Sequence, residues 1–94
     1  MARLHILNKG PDHPRFRQCL AQLGETDELL LIENAVMLLV SDALRELPPH
    51  LRVHALTPDV QARGLQSLAK AVYNGVGYDG FVALTADADS VVQW

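Results

Sequence analysis

Cys19 is the one thiol in this 94-residue chain, and its setting decides how much chemistry the chain could carry by itself. A lone thiol can act as a nucleophile, hold persulfide sulfur or simply pack, and the thiolate is the form that reacts. Phe16, Cys19, Leu20 and Leu23 recur at i, i+3, i+4 and i+7, the spacing of one buried helical face. A helical wheel nevertheless sets Cys19 toward one edge of that stripe, beside Arg15 and Gln22. A neighbouring guanidinium favours thiolate, whereas a mid-helix position gains nothing from the helix dipole. From the residues alone, packing and reactivity both stay open.

The other polar residues offer less. His5, His13, His50 and His54 lack the spacing of a zinc site, since His50 and His54 straddle a loop-to-strand junction rather than one helical face. They read as incidental, and a single cysteine excludes a cysteine-cluster metal site or an internal disulfide. Gly75, Gly77 and Gly80 follow no strong strand and form no dinucleotide fingerprint, so no nucleotide cofactor is implied. The acids Asp27, Glu33, Asp42, Asp79, Asp87 and Asp89 stand where caps and solvated helix faces would put them. No carboxylate pair suggests acid-base catalysis.

Composition sets the limits around these residues. A net charge of -3, with Lys9 and Lys70 the only lysines, argues against direct nucleic-acid binding, which needs clustered cations against phosphates. No apolar run approaches a membrane span. The first residues do not read as a signal peptide, because Arg3, Asn8, Lys9 and Asp12 interrupt the early apolar stretch. The lone cysteine fits a reducing cytoplasm. With 94 residues and no linker or repeat, the expectation is one domain over 1–94 whose isolated stability is modest.

The elements that would position Cys19 follow an alternating β and α order. RLHILN reads as a first strand, and a helix capped by Asp12, with Pro14 in its first turn, ends at Gly24. Leu29 to Ile32 form an unbroken apolar run, the mark of a central parallel strand buried on both faces. Asn34 then caps a helix reaching Leu47 before Pro48 and Pro49. On a 3.6-residue wheel, Val36, Val40, Ala43, Leu44 and Leu47 share one side, Leu38 points almost opposite, and Met37 and Leu39 lie between. That surplus apolar surface makes Met37, Leu38 and Leu39 the candidate interface.

LRVHAL gives a third strand, alternating Leu51, Val53 and Ala55 against Arg52 and His54. Thr57-Pro58-Asp59 opens a short helix that Gly64 closes. The segment from Gln66 to Asn74 is ambiguous, and Asn74-Gly75 reads as a turn. Val76 to Tyr78 is a short extended piece, Asp79 caps a last helix, and SVVQW ends in a strand. The sum is a small three-layer α/β/α domain with a mainly parallel sheet.

LHILNKGP, DELLLIENAV, LRVHALTPDVQARGL and YDGFVALTADADSVVQW, in that order and with Trp94 last, together resemble the TusB/DsrH family of sulfur-relay proteins. The resemblance implies the α/β/α fold of the DsrE, DsrF and DsrH proteins. It implies assembly with homologous TusC/TusD-like or DsrE/DsrF-like subunits into a heterohexamer, two copies of each. One branch of the family passes persulfide sulfur toward 2-thiolation of the wobble uridine of transfer RNA. The other serves dissimilatory sulfur oxidation. The main acceptor cysteine of these complexes belongs to a partner, which makes a TusB/DsrH-like chain chiefly an assembly subunit. DsrH-type members carry a cysteine on the first helix where Cys19 stands, and many TusB-type members lack it. If Cys19 is used, it attacks a donor persulfide as thiolate and holds the terminal sulfur transiently. The chain departs from the family pattern between Gln66 and Gly77.

Overall fold

The computed structural model describes residues 2–69 and 73–94. Five strands form one sheet, in chain order β1 (Arg3–Leu7), β2 (Glu28–Leu31), β3 (Arg52–Leu56), β4 (Asn74–Val76) and β5 (Ser90–Gln93). They lie in the order β4-β3-β2-β1-β5, every pair parallel, so β2 sits at the centre. The unbroken apolar run is therefore the spine that its pattern predicts, with Leu29, Leu30 and Leu31 all buried. The expected α/β class, parallel sheet and layering are what the chain adopts.

Helices α1 (Pro14–Gln22), α2 (Thr57–Ala62) and α3 (Tyr78–Asp87) fill the crossovers, together with 3-10 segments at Glu33–Val40 and Asp42–Glu46. Successive strand residues point to opposite faces. Leu7, Leu29, Leu31 and Ala55 thus meet Phe16, Cys19, Val36, Leu39 and Val60 in the larger core, under α1, α2 and the 3-10 segments. Leu4, Ile6, Leu30, Leu56 and Val76 meet Phe81 and Leu84 of α3, and Ala88 just past its end, on the other face. The first three crossovers step along the sheet on the first face, while α3 carries the chain back across the second to place β5 beside β1.

Two glycines shape these crossovers. Gly64 takes the left-handed conformation (φ 63°) just past α2, where a side chain would be strained. A Cβ at Gly80 would stand 2.9 Å from the Val76 Cβ, so this glycine lets the start of α3 lie against β4. Among the described residues, no helix is long and apolar enough to cross a membrane.

Several boundaries differ from the sequence expectation. His13, not Asp12, caps α1, its Nδ1 accepting from the Arg15 N–H at 3.1 Å. Asn74-Gly75 lies within β4 rather than in a turn, because its backbone pairs with His54 and Ala55 of β3. Residues 70–72 of the ambiguous segment lie outside those described.

The largest difference is the helix expected from Asn34 to Leu47, which is instead two 3-10 segments broken at Ser41. Glu33 leaves β2 in the left-handed region (φ 51°), held by its N–H donating to Asp59 Oδ2 at 2.7 Å. Asn34 caps nothing, and its Oδ1 accepts from the Arg63 guanidinium. With three residues per turn, Ala35 aligns with Leu38 and Val36 with Leu39, and all four are buried. Leu38 and Leu39 are thus core residues, not surface. Met37 alone of the proposed trio is exposed, at 40%.

Candidate functional site

Cys19 sits on the inner face of α1 at 1% exposure, in one cluster with Leu7, Phe16, Leu29 and Leu31. Burial pushes its thiol up to about 12, because the apolar surroundings solvate a thiolate poorly. Arg15 does not offset this. It lies on the exposed side of α1. At neutral pH Cys19 is a neutral thiol with no access to a donor sulfur in this conformation.

A second group of polar residues, which sequence spacing leaves unconnected, converges beside that cluster. His5 points to the same face of β1 as Leu7 and is fully buried. Its Nε2 lies 2.8 Å from Asp27 Oδ2, and its Nδ1 accepts from Trp94 Nε1 at 3.1 Å. An indole N–H only donates, so Nδ1 must be the unprotonated nitrogen and the ring proton sits on Nε2, donated to Asp27. The two rings lie nearly parallel, 12° apart.

Asp27 stands at the entry to β2, buried rather than solvated. It accepts from the Gly24 N–H (2.9 Å), the Arg3 N–H (3.2 Å) and the Arg3 guanidinium (3.0 Å) as well as His5. Burial raises its carboxyl, but these donors together outweigh that effect and hold it well below the usual carboxylate range. Arg3 Nη2 also reaches the Gln22 carbonyl at 2.7 Å and ties the end of α1 to β1. One carboxylate thus joins the first strand, the α1-to-β2 turn and, through His5, the residue after β5.

His5 reads as incidental in the sequence, and Asp27 as a cap or solvated acid. The usable signal was phase: in RLHIL, His5 shares a face with Leu7, so it must be buried, and a buried imidazole needs partners. His54 repeats the lesson on the other face. Expected on the outward side of β3, it is buried, with Nε2 2.7 Å from Glu28 Oε1 and Nδ1 2.9 Å from the Asn74 amide. Both nitrogens of both histidines are therefore engaged, and neither ring has a lone pair free for a substrate. His13 serves as a cap and His50 is exposed. Among the described residues, no three acids, histidines or cysteines converge as a metal site.

With that geometry in place, comparison with known proteins adds the lineage. Residues 10–91 match the family model described as DsrH like protein. The chain belongs to the DsrH-like family. It is 33% identical to Protein TusB of Enterobacter sp. (strain 638) and 34% identical to Protein TusB of Escherichia coli O81 (strain ED1a). Each alignment runs over 96 positions and spans 97% of this chain and 99% of the relative. Among solved structures, protein Tm0979 from Thermotoga maritima superposes with a TM-score of 0.67 at 26% identity, over 92% of both chains. The ychN protein from E. coli matches over the whole of both chains with a TM-score of 0.70. At 16% identity it speaks to the fold alone.

As a member of the DsrH-like family, the chain has a sheet built like these neighbours and a first-helix cysteine turned into its core. Its described residues bring together structural hydrogen-bond relays rather than a nucleophile with its base. Large apolar side chains remain uncovered at Met37, Leu68, Tyr78, Val82 and Val91.

Proposed function

We propose that this chain is a TusB-like subunit of a sulfur-relay complex serving 2-thiolation of the wobble uridine of transfer RNA. The observation that carries this is its end-to-end similarity to Protein TusB. Its role in that complex is assembly. The persulfide passes through a cysteine on a homologous TusD-like partner, and Cys19 is packing. Its neutral, buried thiol supports that assignment over the carrier role. The partner contact centres on the outer side of α3 at Tyr78 and Val82, and Met37, on the 3-10 segment of the opposite face, is a further contact with Leu38 and Leu39 in the core beneath it. The complex is a heterohexamer in the cytoplasm, and it meets RNA through other carriers rather than through this acidic chain.

The test is co-expression with the homologous subunits and measurement of 2-thiouridine in transfer RNA from a strain lacking its own copy of this subunit. Wild type and Cys19→Ser both restore the modification and both co-purify with the partners. Loss of thiolation in Cys19→Ser, with assembly intact and one sulfur atom gained by wild-type Cys19 on incubation with a cysteine desulfurase and cysteine, would return the carrier role to Cys19. Failure to restore thiolation, with assembly alongside DsrE/DsrF-like subunits, would move the chain to the sulfur-oxidation branch of the DsrH-like family.

A further inference from the structure

The buried His5 joins two groups that respond in opposite senses to a proton. Its Nε2–H donates to the Asp27 carboxylate, while its Nδ1 accepts from the Trp94 indole. A second ring proton has only Nδ1 to occupy. There it faces the indole N–H across 3.1 Å, two donors with no acceptor between them. The same proton strengthens the Asp27 contact, which becomes an ion pair. Asp27 keeps its four donors and its charge throughout.

Trp94 is positioned to transmit that conflict. Its backbone N–H donates to the Ile6 carbonyl at 2.9 Å, the last rung between β1 and the segment that β5 begins. β5 is an edge strand, with Ser90, Val91 and Gln93 exposed, so its far end is held by this bond and by the seating of the Trp94 indole on His5 and the larger core. At its near end, Asp89 bonds the Ala2 backbone through both its N–H and its carboxylate.

The charged and titratable groups facing His5 are few. β1 contributes Arg3, which lies across the Asp27 carboxylate, and the turn before β2 contributes Asp27 itself. Glu28 engages His54 on the opposite face of the sheet. α1 adds only the neutral Cys19 thiol, to the cluster against which Trp94 packs, and β5 places Val92 alongside.

We propose that the His5–Trp94 contact is a proton-operated latch: protonation of His5 at Nδ1 releases Trp94 and loosens the end of β5 from β1, while the Asp27 end stays closed. The device is a conformational one, in which mild acid uncovers the outer edge of β1 without unfolding the sheet.

Trp94 is the chain's one tryptophan, which makes its emission a direct reading of the latch. Emission and amide-exchange protection factors are followed as the pH is lowered from about 8 to about 5. On acidification, Trp94 emission shifts to longer wavelength. Protection at the Trp94 amide falls on the order of tenfold or more, the size expected from leaving one buried donor unpaired. The Gly24 and Arg3 amides, which Asp27 holds, keep their protection. In Trp94→Phe the pH step at the position-94 amide disappears, because no indole donor opposes the proton. His5→Asn removes the step from the emission, since its amide oxygen takes the place of Nδ1 and does not titrate. Equal loss of protection at Gly24 and position 94, or a pH step that persists in Trp94→Phe, would overturn the latch.

Discussion

The two faces of the sheet are finished to different degrees. On one, α1, α2 and both 3-10 segments pack into a large buried cluster to which they contribute Phe16, Leu38 and Leu39. On the other, α3 packs over Leu4, Ile6, Leu30, Leu56 and Val76 and buries none of its own residues fully, leaving Tyr78 at 66% and Val82 at 63% exposure. Beside it the sheet carries the polar Glu28–His54–Asn74 string instead of a second helix. The first face is the more fully covered within one chain, with Met37 left exposed. The second face is where the sister subunits of the proposed assembly have something to cover.

Mutations that act on one face and not the other test this contrast. Leu39→Ala, in the closed core, costs roughly 3 kcal/mol in denaturant melts. Val82→Ala on α3 stays within about 0.5 kcal/mol, and equal costs would break the contrast.

Asp27→Asn comes next, at roughly 2 to 3 kcal/mol near neutral pH, because His5 and the Gly24 amide lose a charged acceptor. The Asp27 carboxyl is depressed in the folded state, so its contribution is fully present above the unfolded carboxyl range near pH 4 and fades as the pH falls below it. Wild type should therefore show an acid loss of stability that Asp27→Asn lacks.

Cys19→Ala costs about 1 to 2 kcal/mol at neutral pH. Its second effect has the opposite pH sense. A thiol raised to about 12 stays protonated when folded while the unfolded chain ionises, so stability falls as the pH rises above the unfolded value near 9. The wild-type loss should approach about 1.4 kcal/mol per pH unit in that window and be absent in Cys19→Ala. A matching alkaline slope in both would mean that the thiol is open to solvent.

Val82→Asp is expected to have the smallest effect on the chain itself, within about 0.5 kcal/mol. The same change should abolish co-purification with the homologous subunits, whereas Met37→Asp only weakens it. Retention of the partners by Val82→Asp would move the contact away from α3.

Most of the scaffold was legible in the sequence because parallel strands advertise themselves by composition. Leu29 to Leu31 can only be central, and the Thr57-Pro58 start and Gly64 stop place α2 where it is found. The 35–40 stretch was not legible, because a run of apolar residues satisfies both a 3.6-residue and a three-residue period. Choosing the first exposed Leu38 on paper, and the second buries it.

The polar relays were hidden for another reason. His5, Asp27 and Trp94 are up to 89 positions apart, and only the strand order brings them together. Cys19 was visible as a candidate, but its burial was settled by Phe16 and Leu20 sharing its helix face, a stripe the sequence already displayed.

The strand order also governs how the chain must come together. β1 is made before the other four strands of the sheet, yet its outer neighbour β5 is made after them, so one flank of β1 must wait through four crossovers with its peptide groups unpaired. Long-range closures of this kind are slow and leave a sticky edge exposed in the meantime. Stopped-flow refolding should accordingly register the indole's burial as the final event, after the inner strands have already gained their circular dichroism.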